Sequence, residues 1–486
     1  MSCFLARLLL ENKQEDRLER SDRALSKRQF LGSTAVLFAA SQRYSSAQAQ
    51  APAVIGARRV RDRLEEALAR IVDPQGEGAR ACLTIYSEAS RSAADAADAR
   101  ARVGVTLGPL DGAIVGIKDL FDVAGELTRT GSKILPEDST PAAADALVVR
   151  RLRAGGAVVI AKNNMSDFAA TIVGANPHYG TPGNPANRSL VPGGSSSGGA
   201  VAVADGMCEI AIGSDTGGSC RAPAALCGIV GFKPSKFRVP TDGAFPLSYT
   251  LDSIGPLART VRACADADAV MAGERARPLD SVSLNDLRFG VVQGGPLNGL
   301  DSTVTERFGY ALNVLGRSGC RLRDEKIVLL SELAQVQAKA SLIFTEAFAI
   351  HEERLNKRPE AFDPVVRTQI ERGRRMSAAD LIRLQGARVR LISAMDLIAQ
   401  EFDALIMPTT KIVAPLISES ITPEGYAPKQ PLLAGNTSIV NFLDLCAISL
   451  PIPRASGLPV GLMLVGRNGS DRRLLGIAAA VEQLLS

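Results

Sequence analysis

The chain has 486 residues, 46% hydrophobic and 22% charged, a composition of soluble globular proteins and a length that can bury a large core. Aromatics make up only 4% with no Trp, and eight Lys/Arg against five Asp/Glu in the first 50 residues carry +3 of the +5 net charge, so nothing favours nucleic acid or an anionic membrane as partner. Two histidines, His178 and His351, and eight scattered cysteines without a CxxC pair leave little for a His-based triad, a metal centre or a disulfide framework; neither metal nor organic cofactor is expected.

Along the chain, residues 1–51 come first. Lys27-Arg28 precedes a short apolar run at 30–40, and Ala47-Gln48-Ala49 follows, the order of a cleavable export signal. The stretch SKRQFL resembles the twin-arginine motif with Lys in place of the first Arg. The expectation is a periplasmic or secreted protein, with a disordered leader on a cytoplasmic protein, or a true start further in, as the alternative. The run is too short for a stable membrane anchor. A helix follows over 58–70, where Val60, Leu64, Leu68 and Ile71 recur on one face. GAIVGIKDL (112–120) reads as a buried strand ending at Lys118-Asp119. A helix over 145–153 stops at Gly155-Gly156, and AVVIAKN (157–163) is a second buried strand. Residues 200–213 repeat the turn from small-residue helix to strand. This rhythm predicts α/β architecture: a mixed central β-sheet flanked by α-helices in one large domain, 55–486. Residues 280–430 are richer in charge and in helical pattern, for instance 378–399, and read as a helical, substrate-specific region. Strands return at 402–408 and 458–466, and 440–453 reads as helix then strand. Segments 134–142 and 421–432 read as Pro-containing loops.

Two Gly/Ser clusters, at 193–199 and 214–219, flank the small-residue run. Lys118, Ser195 and Ser219 each sit where a strand or helix meets a glycine-rich turn, the place where catalytic groups concentrate. With histidine so scarce, the base for a serine nucleophile would be lysine, which accepts a proton only when burial lowers its pKa. The apolar run before Lys118 suits that need, with Asp119 pointing elsewhere. Cys220 beside the second cluster is expected to be half-exposed. A phosphate-binding loop is the competing reading, but there is no GxxxxGK[ST], and GGSSSGG does not fit GxGxxG.

The segments GAIVGIKDLFDVAG, AKNNMSDFA, PGGSSSGGAVAVADG, GSDTGGSCRAPAALCGIVGFKPS and LDSIGPLARTV resemble the amidase signature family of serine hydrolases, most densely over 104–262. The 24-residue separation of Ser195 and Ser219 agrees with that pattern. The resemblance implies a Ser-Ser-Lys triad with Ser219 as nucleophile, Ser195 as relay and Lys118 as base. It also implies a cis Gly194–Ser195 peptide, an oxyanion hole from the N–H groups of Thr216, Gly217, Gly218 and Ser219, and a loop held by Asp215 and Arg221. Ser197 stands where a glycine is common, which keeps Ser196 open as an alternative relay. The implied activity is hydrolysis of a small-molecule amide, without nucleic acid and with homodimer formation open. A glutaminase-type subunit of a tRNA-dependent amidotransferase and a urea-derivative hydrolase are the alternatives, the latter because NTSIVNFLDLCA (436–447) is similar to such a subgroup.

Overall fold

In a computed structural model, the strand reading of 112–120 becomes Ile114–Lys118, whose residues are all buried. The structure describes residues 58–275, 277–339, 341–453 and 457–486, so the export leader expected in 1–51 lies outside the described residues. An unbroken apolar strand belongs in a sheet covered on both faces. That sheet has eleven strands in the order β1-β3-β2-β4-β6-β5-β10-β11-β9-β7-β8. The strands are β1 (Cys82–Ile85), β2 (Ile114–Lys118), β3 (Val158–Asn163), β4 (Ile210–Ser214), β5 (Val230–Lys233), β6 (Ile254–Ala258), β7 (Arg288–Val292), β8 (Arg321–Glu325), β9 (Ala404–Pro408), β10 (Cys446–Pro451) and β11 (Gly461–Gly466). Pairing is parallel for β2 with β3 and β4 and for β7 with β8 and β9, and antiparallel elsewhere, so the sheet is mixed.

Alternate strand residues feed the two sides of the sheet. Val115, Ile117 and Val159 join one core cluster, and Ile114, Val158 and Ile160 join another. The helix Val60–Val72 covers the second with Val60, Leu64, Leu68 and Ile71, the four residues its periodicity selects. The helix Ala378–Ala399 is capped by Ser377, whose Oγ accepts from Asp380 N at 3.1 Å, and it buries Leu384, Leu391 and Met395. Residues 280–430 hold this and other helices, but they also supply β7, β8 and β9. The two segments read as loops contain helical turns, Ile134–Glu137 and Pro423–Tyr426, and the helix Gln430–Phe442 begins inside the second.

The helix Ser197–Ala204 is buried on all sides except its last residue. It has no apolar stripe because every face meets protein, and small side chains let it approach neighbouring backbone. A Cβ at Gly198 would stand 2.3 Å from the Ala81 carbonyl oxygen and 2.6 Å from Asn164 N. Gly198→Ala is therefore expected to destabilise the protein by about 1–3 kcal/mol through overpacking. A lowered urea midpoint would report it; an unchanged midpoint would show that the contact relaxes.

Candidate active site

Strands β2 and β4 run parallel, with Ile117 opposite Ile212, so Lys118 and Ser214 emerge at the same C-terminal edge of the sheet. Ligands in α/β sheets bind outside such edges. Lys118 Nζ donates to Ser195 Oγ at 2.7 Å and to Ser214 Oγ at 2.9 Å. Lys118 is 1% exposed and Ser195 0%. Burial pushes the Lys118 ammonium down to about 8; the carboxylates of Asp252 and Asp215 act in the opposite direction. Cys220 adds no charge there, because burial drives its own thiol far up and keeps it protonated. Asp119 turns away, as the sequence suggests: its Oδ2 accepts from Gly131 N at 3.0 Å, and Arg129 Nη1 stands 4.0 Å from its Oδ1. The Gly194–Ser195 peptide is cis. Lys118 contacts Ser195, whereas Ser196 Oγ donates to the Ser214 carbonyl oxygen at 3.4 Å.

The loop that carries Ser219 follows β4 directly. Its anchor is a fully buried ion pair in which Arg221 Nη2 donates to Asp215 Oδ1 at 2.8 Å and Nε to Oδ2 at 3.0 Å. Burial alone would raise the Asp215 carboxyl, but Arg221 outweighs it and holds the group well below the usual carboxylate range. Asp215 also accepts from the backbone N–H groups of Gly218 and Cys220, at 2.9 and 3.1 Å. From the helix Gln430–Phe442, Asn441 Nδ2 donates to the Asp215 carboxylate and carbonyl, and Arg221 Nη2 donates to Asn441 Oδ1 at 2.6 Å. Thr437 Oγ1 donates to the Gly217 carbonyl oxygen at 2.7 Å. Gly218 has φ +133°, and a Cβ there would lie 2.2 Å from Thr437 Oγ1, so the turn needs glycine.

This geometry divides the four N–H groups that the resemblance assigns to an oxyanion hole. The Gly218 N–H is engaged by Asp215. Those of Thr216, Gly217 and Ser219 donate to no acceptor among the described residues. Ser219 is 5% exposed and borders a cavity of about 680 Å³ together with Thr216 and Gly217. The remaining walls are mostly apolar, with Leu247, Leu251, Leu342, Ile343 and Phe442 among them.

The structure thus brings Lys118 and Ser195 together and sets Ser219 at the head of the cavity. Three contributors were not singled out from the sequence: Ser214, Thr437 and Asn441. Ser214 carried a signal as the polar end of a strand immediately before Asp215, and Thr437 and Asn441 lie in the stretch 436–447 noted above, without a role attached to either. Cys220 corrects an expectation: it is fully buried, not half-exposed, with Sγ 3.4 Å from the Gly255 carbonyl oxygen. Neither histidine enters the site. His351 lies buried beside Phe168, Phe245 and Phe362, and His178 Nε2 stands 3.6 Å from Asp167 Oδ2. Among the described residues, no three His, Cys, Asp or Glu side chains cluster as a metal site.

The chain is similar to known proteins over most of its length. The sequence profile of the family Amidase matches residues 25–475, beginning inside the segment read as a leader. The chain is 34% identical to 2-amino-5-chloromuconic acid deaminase of Comamonas testosteroni, over 82% of this chain and 86% of that protein. It is 35% identical to a glutamyl-tRNA(Gln) amidotransferase subunit of Roseiflexus sp. (strain RS-1), over 86% of this chain and 91% of that one. A crystal structure of an amidase superposes with TM-score 0.79 at 34% identity, covering 88% of this chain and 97% of the other.

Removing one member of a buried ion pair strands the other. Arg221→Ala is expected to cost about 3–5 kcal/mol of stability, read from chemical denaturation. A loss below about 1 kcal/mol would mean that the Asn441 and backbone donors hold Asp215 without help.

Proposed function

The chain belongs to the amidase family, and on that premise we propose that Lys118, Ser195 and Ser219 form the relay that hydrolyses linear carboxamides. The protein is a hydrolase acting on carbon–nitrogen amide bonds; the proposal concerns which side chains perform each step. Neutral Lys118 takes the Ser195 hydroxyl proton as Ser195 takes that of Ser219. Ser219 Oγ bonds to the amide carbon, and the carbonyl oxygen gains negative charge facing the free N–H groups of Thr216, Gly217 and Ser219. The carbon–nitrogen bond breaks as the proton returns through Ser195 to the leaving nitrogen, which departs as ammonia or amine. Water then attacks the acyl-enzyme by the same proton route, and Ser219 is restored with release of a carboxylate.

The observation that carries this reading is the position of Lys118 Nζ, buried, shifted towards neutrality and within 2.7 Å of Ser195 Oγ. Ser214, 2.9 Å from the same nitrogen, holds it in place while the proton moves. Ser195 is assigned the relay role over Ser196 because, of these two, Ser195 touches the amine and Ser196 instead meets the Ser214 carbonyl oxygen. A second reading, the glutaminase component of an amidotransferase, is favoured by the similarity to the Roseiflexus protein. It requires partner subunits, whereas an independent amidase releases ammonia alone.

Ser219→Ala is expected to lower kcat by about four to six orders of magnitude with the fold retained. Ammonia release from aliphatic and aromatic amides measures this, and comparable turnover in the variant would sink the assignment. The working form of Lys118 is neutral, so its contribution is lost as pH falls through about 8. Below that value kcat/KM should fall about tenfold per pH unit and above it level off. Lys118→Met should lose about 10²–10⁴-fold and flatten that limb; an unchanged limb would place the titration elsewhere. For residues 1–51 we retain export as the proposal. Expression with the full leader should yield an exported protein whose first residue follows Ala49, read by N-terminal sequencing; an intact Met1 on a cytoplasmic product would refute it.

A further inference from the structure

The cavity in front of Ser219 has an uneven charge inventory. Among the described residues that line it there is no Asp or Glu, but there are two cations, Arg372 and Lys411. Neither forms an ion pair among the described residues. Arg372 Nη1 donates to Gln369 Oε1 at 2.9 Å, and its guanidinium carbon lies 5.5 Å from the centre of the Phe344 ring. Gln369 and Phe344 also line the cavity, so the charge is held at its wall. Lys411 Nζ donates to the Gly295 carbonyl oxygen at 2.6 Å, and its Cε lies beside Gly435; both glycines are wall residues. Most arginines of this chain with a described partner face a carboxylate, as Arg238 faces Asp268 and Glu274, and Arg358 faces Glu137 and Asp138. Burial lowers the Lys411 ammonium with nothing opposing it, the condition of a cation that lacks its anion.

We propose that this cavity selects amides that carry a carboxylate in addition to the scissile bond, with Arg372 and Lys411 holding the carboxylate and the apolar walls holding the spacer. The inference rests on Ser219 being the nucleophile of the same cavity. Arg372 supplies a planar donor fork suited to two carboxylate oxygens, and Lys411 a point charge. Lys411 is partly buried, so its charge is less screened than in bulk water, while Arg372 is exposed at the cavity wall. A substrate bearing an ammonium would meet two like charges, which excludes amino-terminated amides by the same physics.

The test uses the full chain and an uncharged fluorophosphonate that labels Ser219. Monoamides of dicarboxylic acids of increasing length are compared with the corresponding diamides as protectants. In the wild type the monoamides should protect at concentrations lower by about tenfold or more. Arg372→Met and Lys411→Met should each shrink that ratio, the double variant should bring it near one, and Arg372→Lys should keep most of it. A ratio near one in the wild type, an undiminished ratio in the double variant, or no protection by any monoamide would overturn the proposal. Failure of the probe to label Ser219 would instead count against the serine relay. The carboxylate site is then judged by thermal shift: monoamides should raise the melting temperature of the wild type and not of the double variant, and equal shifts would refute it.

Discussion

The Asp215–Arg221 ion pair is the constraint from which the site is built. A carboxylate and a guanidinium that are both 0% exposed can persist only with their hydrogen-bonding capacity filled. Asp215 fills its own from Arg221, from Asn441 and from the N–H groups of Gly218 and Cys220. Drawing those two amides inward leaves the amides of Thr216, Gly217 and Ser219 without internal partners, beside the cavity. The outward orientation of these three amides is therefore a by-product of solvating one buried charge, and it needs no separate device.

Burial by itself does not make a base. Lys118, Lys162 and Lys233 are all fully buried, and burial pushes both Lys118 and Lys233 down to about 8. Lys233 Nζ donates to the Pro234 and Leu445 carbonyl oxygens, which can only accept, so its amine has no proton to receive. Lys162 is also lowered by burial, but its Nζ stands 3.8 Å from the Glu126 carboxylate and meets no hydroxyl among the described residues. Lys118 alone of the three faces hydroxyls, which can reverse roles and donate to the neutral amine. The chemistry lies in the partner type more than in the depth of burial.

Much of this was legible in the sequence, for identifiable reasons. Strand β2 begins as an apolar run set off by glycines, β3 begins as one that follows a glycine pair, and the helix Val60–Val72 repeats its apolar residues at helical spacing. Lys118, Ser195 and Ser219 stand in dense local motifs. Other features left no such trace. Strand β8, Arg321–Glu325, is an edge strand in which every residue but Leu322 is charged, and charge on an edge hides it from any apolar pattern while guarding it against pairing with another chain. Asn441 and Thr437 stand in a stretch the sequence marks, but nothing in it shows that the fold sets them against a loop 220 or more residues earlier. Gly218 belongs to the motif, yet which acceptor its amide meets depends on where the Asp215 side chain turns.

The grip of the helix Gln430–Phe442 on the nucleophile loop has a consequence for biosynthesis. As the chain leaves the ribosome, Lys118, both serines and the loop itself are made long before Thr437 and Asn441. Contacts of such sequence separation form late, because the intervening chain must first be ordered. Until they form, the Arg221 side chain lacks two of its acceptors and the Gly217 carbonyl lacks its donor. The loop that carries Ser219 thus gains its full set of partners only after the helix Gln430–Phe442 has been made and has packed against it.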